Sequence, residues 1–146
     1  MFARDFAKAM LCLNEGVKPC SKCTSCIKFE GQNNPDYFEI EPDGNSIKIE
    51  QMRSMQKTVL EKPIASERKV YVINNSELMT KEAGNSLLKT LEEPPEYVCI
   101  ILITSNANML LNTIKSRCTK ISFSKLETEE LKDILSKLGT TREEHF

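Results

Sequence analysis

The chain contains no tryptophan, and its 20 basic residues are offset by 21 acidic ones for a formal net charge of -1. A module that grips nucleic acid directly needs a basic face and aromatic platforms; this composition disfavours one. No apolar run approaches the roughly 20 residues of a membrane span. The opening MFARDFAKAM is amphipathic and mixed in charge, without the apolar core of a signal peptide. The expected setting is therefore cytoplasmic, with no membrane partner. Glycine is scarce too: Gly16, Gly31, Gly44, Gly84 and Gly139 are the only five. None of them sits in a G-x-x-x-x-G-K-[ST] pattern, whose backbone N–H groups cradle phosphate. With no phosphate loop, no ATP is expected to bind this chain.

What the chain does contain is enough apolar material for one compact α/β domain: 146 residues, 40% of them hydrophobic. Six cysteines occur, at 12, 20, 23, 26, 99 and 118, and four of them fall within fifteen residues. In a reducing compartment such clustering favours a metal over disulfides. Cys20-x2-Cys23-x2-Cys26 sets three sulfurs on tight turns and Cys12 can supply a fourth, a ligand set suited to a closed, structural Zn2+ site. The competing reading is free thiols or an adventitious disulfide. Cys99 and Cys118 read as buried thiols rather than ligands. Lys18, Lys22 and Lys28 surround the cysteines; they could meet DNA phosphate, but such lysines more often only solvate a loop.

Periodicity organises the rest. Phe2, Phe6, Ala9, Met10 and Leu13 predict a helix over 2–13, followed by a loop-rich insert over 14–35. Tyr37–Glu41 alternates as a strand, and Pro42–Asn45 forms a turn. Ile49, Met52, Met55, Val59 and Leu60 mark a second helix face. Val70–Ile73 reads as a strand buried on both sides. Ala83, Leu87, Leu88 and Leu91 mark a helix stopped before Pro94-Pro95. Val98–Ile103 reads as the most buried strand. A short helix or turn is expected over 107–116, a last strand at Lys120–Phe123 and a last helix around Leu131–Leu138. Alternating helices and strands imply a mostly parallel sheet flanked by helices.

Val70–Ile73 looks like a Walker B strand. Such a strand should end on a carboxylate that holds magnesium, with a second acid to polarise water. Here stand Asn74 and Asn75, whose neutral amides supply neither charge nor basicity. Glu77, further on, is expected to point elsewhere.

Taken together, the cysteine cluster, Ile47-Lys48-Ile49-Glu50-Gln51-Met52-Arg53, Ser86-Leu87-Leu88-Lys89-Thr90-Leu91-Glu92-Glu93-Pro94-Pro95 and Ser116-Arg117-Cys118 resemble the AAA+ domain of bacterial DNA polymerase III clamp-loader subunits, of the delta-prime type. The resemblance covers about Met1 to Leu138. It implies an AAA+ core over 1–124, lacking the first strand and phosphate loop, with a zinc module inserted at about 12–35. Residues 125–146 would begin the helical lid and tail. An incomplete sheet of this kind exposes unpaired backbone, and either a rearranged sheet or non-native pairing between chains is expected.

The resemblance also assigns roles. Cys12, Cys20, Cys23 and Cys26 would bind one zinc ion, though the first spacer is seven residues where about eight is usual. Asn74 and Asn75 would be a degenerate Walker B. Thr104-Ser105-Asn106 would hold the sensor 1 position, here vestigial. Arg117, within the Ser116–Cys118 triplet, would act as an arginine finger in trans on the ATP of a neighbouring gamma/tau subunit; the alternative, the default for any lone arginine, is a surface ion pair. The implied function is that of a non-hydrolysing accessory subunit of the clamp loader, not an enzyme by itself. Its partners would be gamma/tau and delta, and indirectly the sliding clamp and primed DNA. The rival readings are a fragment of the gamma/tau ATPase, which predicts intact Walker B acids, and a zinc module binding nucleic acid directly.

Overall fold

The computed structural model describes residues 2–122. The chain divides into two compact units. One comprises the chain up to Tyr37 together with Pro63–Val70; the other comprises Phe38–Lys62 and Tyr71–Lys120.

In the first unit, α1 (Phe2–Leu11) packs against α2 (Thr24–Glu30). The first helix stops two residues short of the expected end, and Leu13 is exposed. Its buried stripe differs from the expected one except at Ala9, which is buried. Ala3, Ala7 and Leu11 face inward, spaced four residues apart along one face. Phe2, Phe6 and Met10 are only half-buried, and the two phenylalanine rings stack on each other at 5.9 Å. Small alanines admit a close neighbour where phenylalanines would hold it off. The second helix lies inside the insert read as loop. It is only seven residues long, too short for periodicity to reveal, and it is capped by a sulfur: Cys23 Sγ accepts from Cys26 N at 3.4 Å.

Three strands form one sheet in the order β1 (Tyr37–Ile40), β2 (Lys69–Ile73), β3 (Val98–Leu102). The pairing is parallel. Val70 N donates to Asp36 O at 2.9 Å and Asn74 N to Ile40 O at 2.8 Å, so the partners advance together along both strands. The central strand, β2, is buried throughout. Contrary to expectation, β3 is half-exposed along its whole length. It ends the strand order, so among the described residues only β2 lies beside it. Lys120, Ile121 and Ser122 form no strand. Phe123 and the expected helix at Leu131–Leu138 lie outside the described residues.

The second unit's core gathers Ile47, Met52, Met55, Val59, Tyr71, Ile73, Ala83, Leu87 and Ile114. The helices α3 (Ile49–Val59) and α4 (Lys81–Glu92) pack together, and Gln56 Nε2 donates across to Ser86 O at 2.7 Å. Leu60, expected on the buried face of α3, is 79% exposed because the helix has already ended. Thr80 caps α4, its Oγ1 accepting from Ala83 N at 3.1 Å. The residues expected as a short helix or turn form a 3-10 turn, Ala107–Met109, and α5 (Asn112–Lys115). Gly84 of α4 lies where this segment crosses; an added Cβ would stand 3.0 Å from Leu111 Cδ1. No helix among the described residues is long and apolar enough to cross a membrane.

Candidate functional site

The end of α1, the turns after it and the start of α2 bring Cys12, Cys20, Cys23 and Cys26 together. Their four sulfurs all lie within 4.8 Å of one another, and Cys12 and Cys23 Sγ are 4.0 Å apart. A tetrahedron of Zn–S bonds of about 2.3 Å has edges of about 3.8 Å, so the cluster fits a four-thiolate ion without large movement. Backbone N–H groups already point at the sulfurs. Cys12 Sγ accepts from Asn14 N and Cys20 N, both at 3.4 Å. Cys20 Sγ accepts from Lys22 N at 3.4 Å and Cys23 N at 3.2 Å. Cys23 Sγ accepts from Leu13 N at 3.5 Å and Cys26 N at 3.4 Å.

Such donors favour thiolate over thiol. Those from Lys22 and Cys23 lower the Cys20 pKa to about 6. For Cys23 burial opposes ionisation, but donation from Leu13 and Cys26 outweighs it and the pKa falls below the usual thiol range. Desolvation pushes the Cys26 thiol up to about 12. Without a cation, then, Cys26 keeps its proton at neutral pH. Cys99 is half-exposed and Cys118 exposed, against the expectation of burial, and neither joins the cluster.

Two polar networks in the same unit hold the cysteine-bearing segments. Lys8 is buried on α1, yet its ammonium reaches Ser21 Oγ at 3.1 Å and pairs with the Glu30 carboxylate at the end of α2. Asp36 is fully buried, and its carboxylate accepts from Ile64 N at 2.7 Å, Ala65 N at 2.8 Å and Ser66 N at 2.7 Å. Asn34 Oδ1 accepts from Asp36 N at 2.9 Å, while Asn34 Nδ2 donates to Ser25 O and Oγ, both at 3.0 Å. Ser25 Oγ meets Ser66 Oγ at 3.1 Å, and Ser66 Oγ donates to Leu11 O at 3.0 Å. The network thus ends at Leu11, next to Cys12, and at Ser25, next to Cys26. Sequence reasoning took residues 14–35 as a loop-rich insert and missed Asp36. The available signal was Asn34-Pro35-Asp36 directly before a strand.

In the second unit, Asn74 and Asn75 directly follow β2. Asn75 adopts a left-handed backbone, φ 50°, which asparagine tolerates. Glu77 does not point into open solvent. Thr104 Oγ1 donates to its Oε2 at 2.8 Å and Ser105 Oγ to its Oε1 at 3.3 Å. Partial burial raises its pKa, but hydrogen bonds from Thr104, its own backbone N–H, Ser105 and Asn75 outweigh this, and the pKa lies below the usual carboxylate value. A folded-state pKa below the unfolded one means stabilisation fully present above about pH 4.3 and lost as pH falls through the folded value. Glu77→Gln should therefore lose less stability than the native protein between about pH 6 and pH 3. Urea midpoints across that range check this; identical acid slopes would refute it.

Arg117 follows the last turn of α5. Its Nη1 donates to Thr113 O at 2.9 Å and lies 3.4 Å from Ser116 Oγ, and its Nη2 donates to Glu92 Oε1 at 3.0 Å. Its side chain is 35% exposed and that of Glu92 is 51% exposed. The structure thus presents the guanidinium at the surface, in contact with the carboxylate that ends α4.

The family described as DNA polymerase III, delta subunit, matches residues 1–127. The chain is 40% identical over 129 residues to DNA polymerase III subunit delta' of Bacillus subtilis, covering 88% of this chain and 39% of the relative. It is 36% identical over 140 residues to subunit tau/gamma of Haemophilus influenzae, covering 94% of this chain and 20% of the relative. In three dimensions it is similar to a DNA polymerase III gamma subunit-related protein of Thermotoga maritima, with a TM-score of 0.61 and 31% identity, over 79% of this chain and 42% of that one. The chain therefore spans less than half the length of each of these relatives. The three-stranded parallel sheet with its helices agrees with the AAA+ architecture of such proteins. The chain belongs to the DNA polymerase III delta-subunit family and is delta'-like.

Proposed function

We propose that this chain serves the DNA polymerase III clamp loader as a non-hydrolysing accessory part that sets Arg117 against ATP held by a neighbouring gamma/tau subunit. ATP binding at that neighbour then drives opening of the sliding clamp and its loading onto primed DNA, with delta as a further partner. One observation carries this reading. At the end of β2, where hydrolysis needs two acids, stand two neutral amides, while Arg117 is displayed at the surface after α5. Arginine presents a planar fork that matches phosphate oxygens, and such fingers act in trans. Cys12, Cys20, Cys23 and Cys26 hold zinc in this reading. The ion supplies a rigid tetrahedral node and, with four protein ligands, no open position for substrate.

In a loader assembled from this protein with gamma/tau and delta, Arg117→Ala should lower ATP turnover at least about tenfold, equivalent to about 1.4 kcal/mol of transition-state stabilisation. Assembly, followed by size-exclusion chromatography, should be unchanged. Unaltered turnover in an intact complex would remove the finger role.

The 36% identity to a tau/gamma subunit supports a second reading, in which the chain belongs to the loader's ATPase subunit. That reading needs catalytic carboxylates where Asn74 and Asn75 stand. Turnover by this protein without gamma/tau would favour it.

A further inference from the structure

We infer that Glu92 is a positioning residue for Arg117, a carboxylate that holds the guanidinium in reserve until a neighbour's triphosphate draws it away; this rests on the finger reading above. Glu92 is the last residue of α4, and Pro94-Pro95 end the helix just beyond it. Arg117 comes two residues after α5. The two helices are locked together. Gly84 admits Leu111 to within 3.0 Å of where a Cβ would be, Ile114 is 1% exposed, and Leu87 is wholly buried. The core therefore sets how far apart the backbone at the end of α4 and the backbone after α5 lie, within reach of the two side chains.

The contacts on the two terminal nitrogens suit a resting position. Nη2 donates to the Glu92 carboxylate and Nη1 to the Thr113 carbonyl, so both partners are acceptors of negative character. The pair is also breakable. It lies at the surface, where exposed ion pairs contribute little. A triphosphate offers more charge and bidentate geometry, so it can outcompete one solvated carboxylate. Held this way, the arginine pays a small penalty on engagement, and that penalty falls on nucleotide binding at the neighbour.

The test is steady-state ATP turnover by the assembled loader carrying Glu92→Gln, which keeps the shape and removes the charge. KM for ATP should fall about two- to fivefold, the range expected of an exposed ion pair, with kcat changed much less. In an Arg117→Ala background, Glu92→Gln should have no effect on KM, because there is no guanidinium left to hold. Glu92→Asp, which retains the charge, should stay closer to the native KM than Glu92→Gln does. If Arg117→Ala impairs turnover but Glu92→Gln leaves KM unchanged, the holding role is wrong and the finger stands. If Glu92→Gln shifts KM equally in both backgrounds, Glu92 acts on structure and not through Arg117, which also overturns the inference. If Arg117→Ala itself has no effect, the finger reading and the inference built on it both fall.

Discussion

Cys23→Ser protein purified without added zinc should be free of metal and lose folded structure in its first unit, whereas the native protein should carry about one zinc per chain. The four sulfurs are spaced for one tetrahedral ion: Cys12 directly follows the first helix, Cys20 and Cys23 lie on the turns and Cys26 lies on the second helix. Structural zinc contributes about 10–16 kcal/mol of apparent binding free energy in small zinc peptides near pH 7. That matches or exceeds the roughly 5–15 kcal/mol net stability of a whole domain, so losing the ion should unfold what it holds. Plasma mass spectrometry measures the metal, and hydrogen exchange over residues 2–37 measures the folding. Native protein with no zinc, or a metal-free variant with undiminished protection, would refute the site.

Acid should act in the same direction. Zinc binds thiolates, so protons compete with it. Cys26, pushed up to about 12 by desolvation, holds its proton across the neutral range and must release it on binding. At least one proton is released per ion, so apparent affinity should fall at least about tenfold for each unit of pH lost. Chelator competition at two pH values would measure this slope.

Asp36→Ala should cost about 4 kcal/mol or more of stability. Hydrogen bonds to a charged group contribute about 1.5–3 kcal/mol each, and this buried carboxylate accepts three from consecutive backbone N–H groups at 64–66. The truncation removes all three acceptor contacts at once. It also frees the segment that carries Ser66, and with it the link to Ser25 and Leu11. Asp36→Asn, which keeps one acceptor oxygen and brings an NH2 against N–H donors, should fall between the two. Denaturant midpoints on zinc-loaded protein decide the matter; a shift below about 1 kcal/mol for Asp36→Ala would show that water replaces the carboxylate.

The parts legible in the sequence share a property: their signal is local. Val70–Ile73 is a run of apolar residues and folds as the buried strand expected. The Leu87–Pro95 stretch carries both a helical stripe and its own stop signal, and α4 ends at Glu92. The cysteine spacing is short, and the four sulfurs do meet. Where the reading failed, the deciding partner was distant in sequence or a signal was too brief. Val98–Leu102 is as apolar as a central strand, but strand order leaves it at an edge. Phe2 and Phe6 outweigh the alanines in any hydropathy count, yet close packing selected Ala3 and Ala7.

Residue types at short spacing thus determined, without coordinates, the fold class, the family resemblance, the cysteine cluster and the neutral amides of Asn74 and Asn75 after the buried strand. Tertiary structure alone decided that Asp36 secures backbone some thirty residues away, that Glu77 is taken up by Thr104 and Ser105, and that Glu92 meets Arg117. Each of these is a carboxylate whose partner lies 25 to 30 residues along the chain. Charge and hydrogen bonding act through space over a few ångströms, so only a folded backbone can say which donor such a group will find.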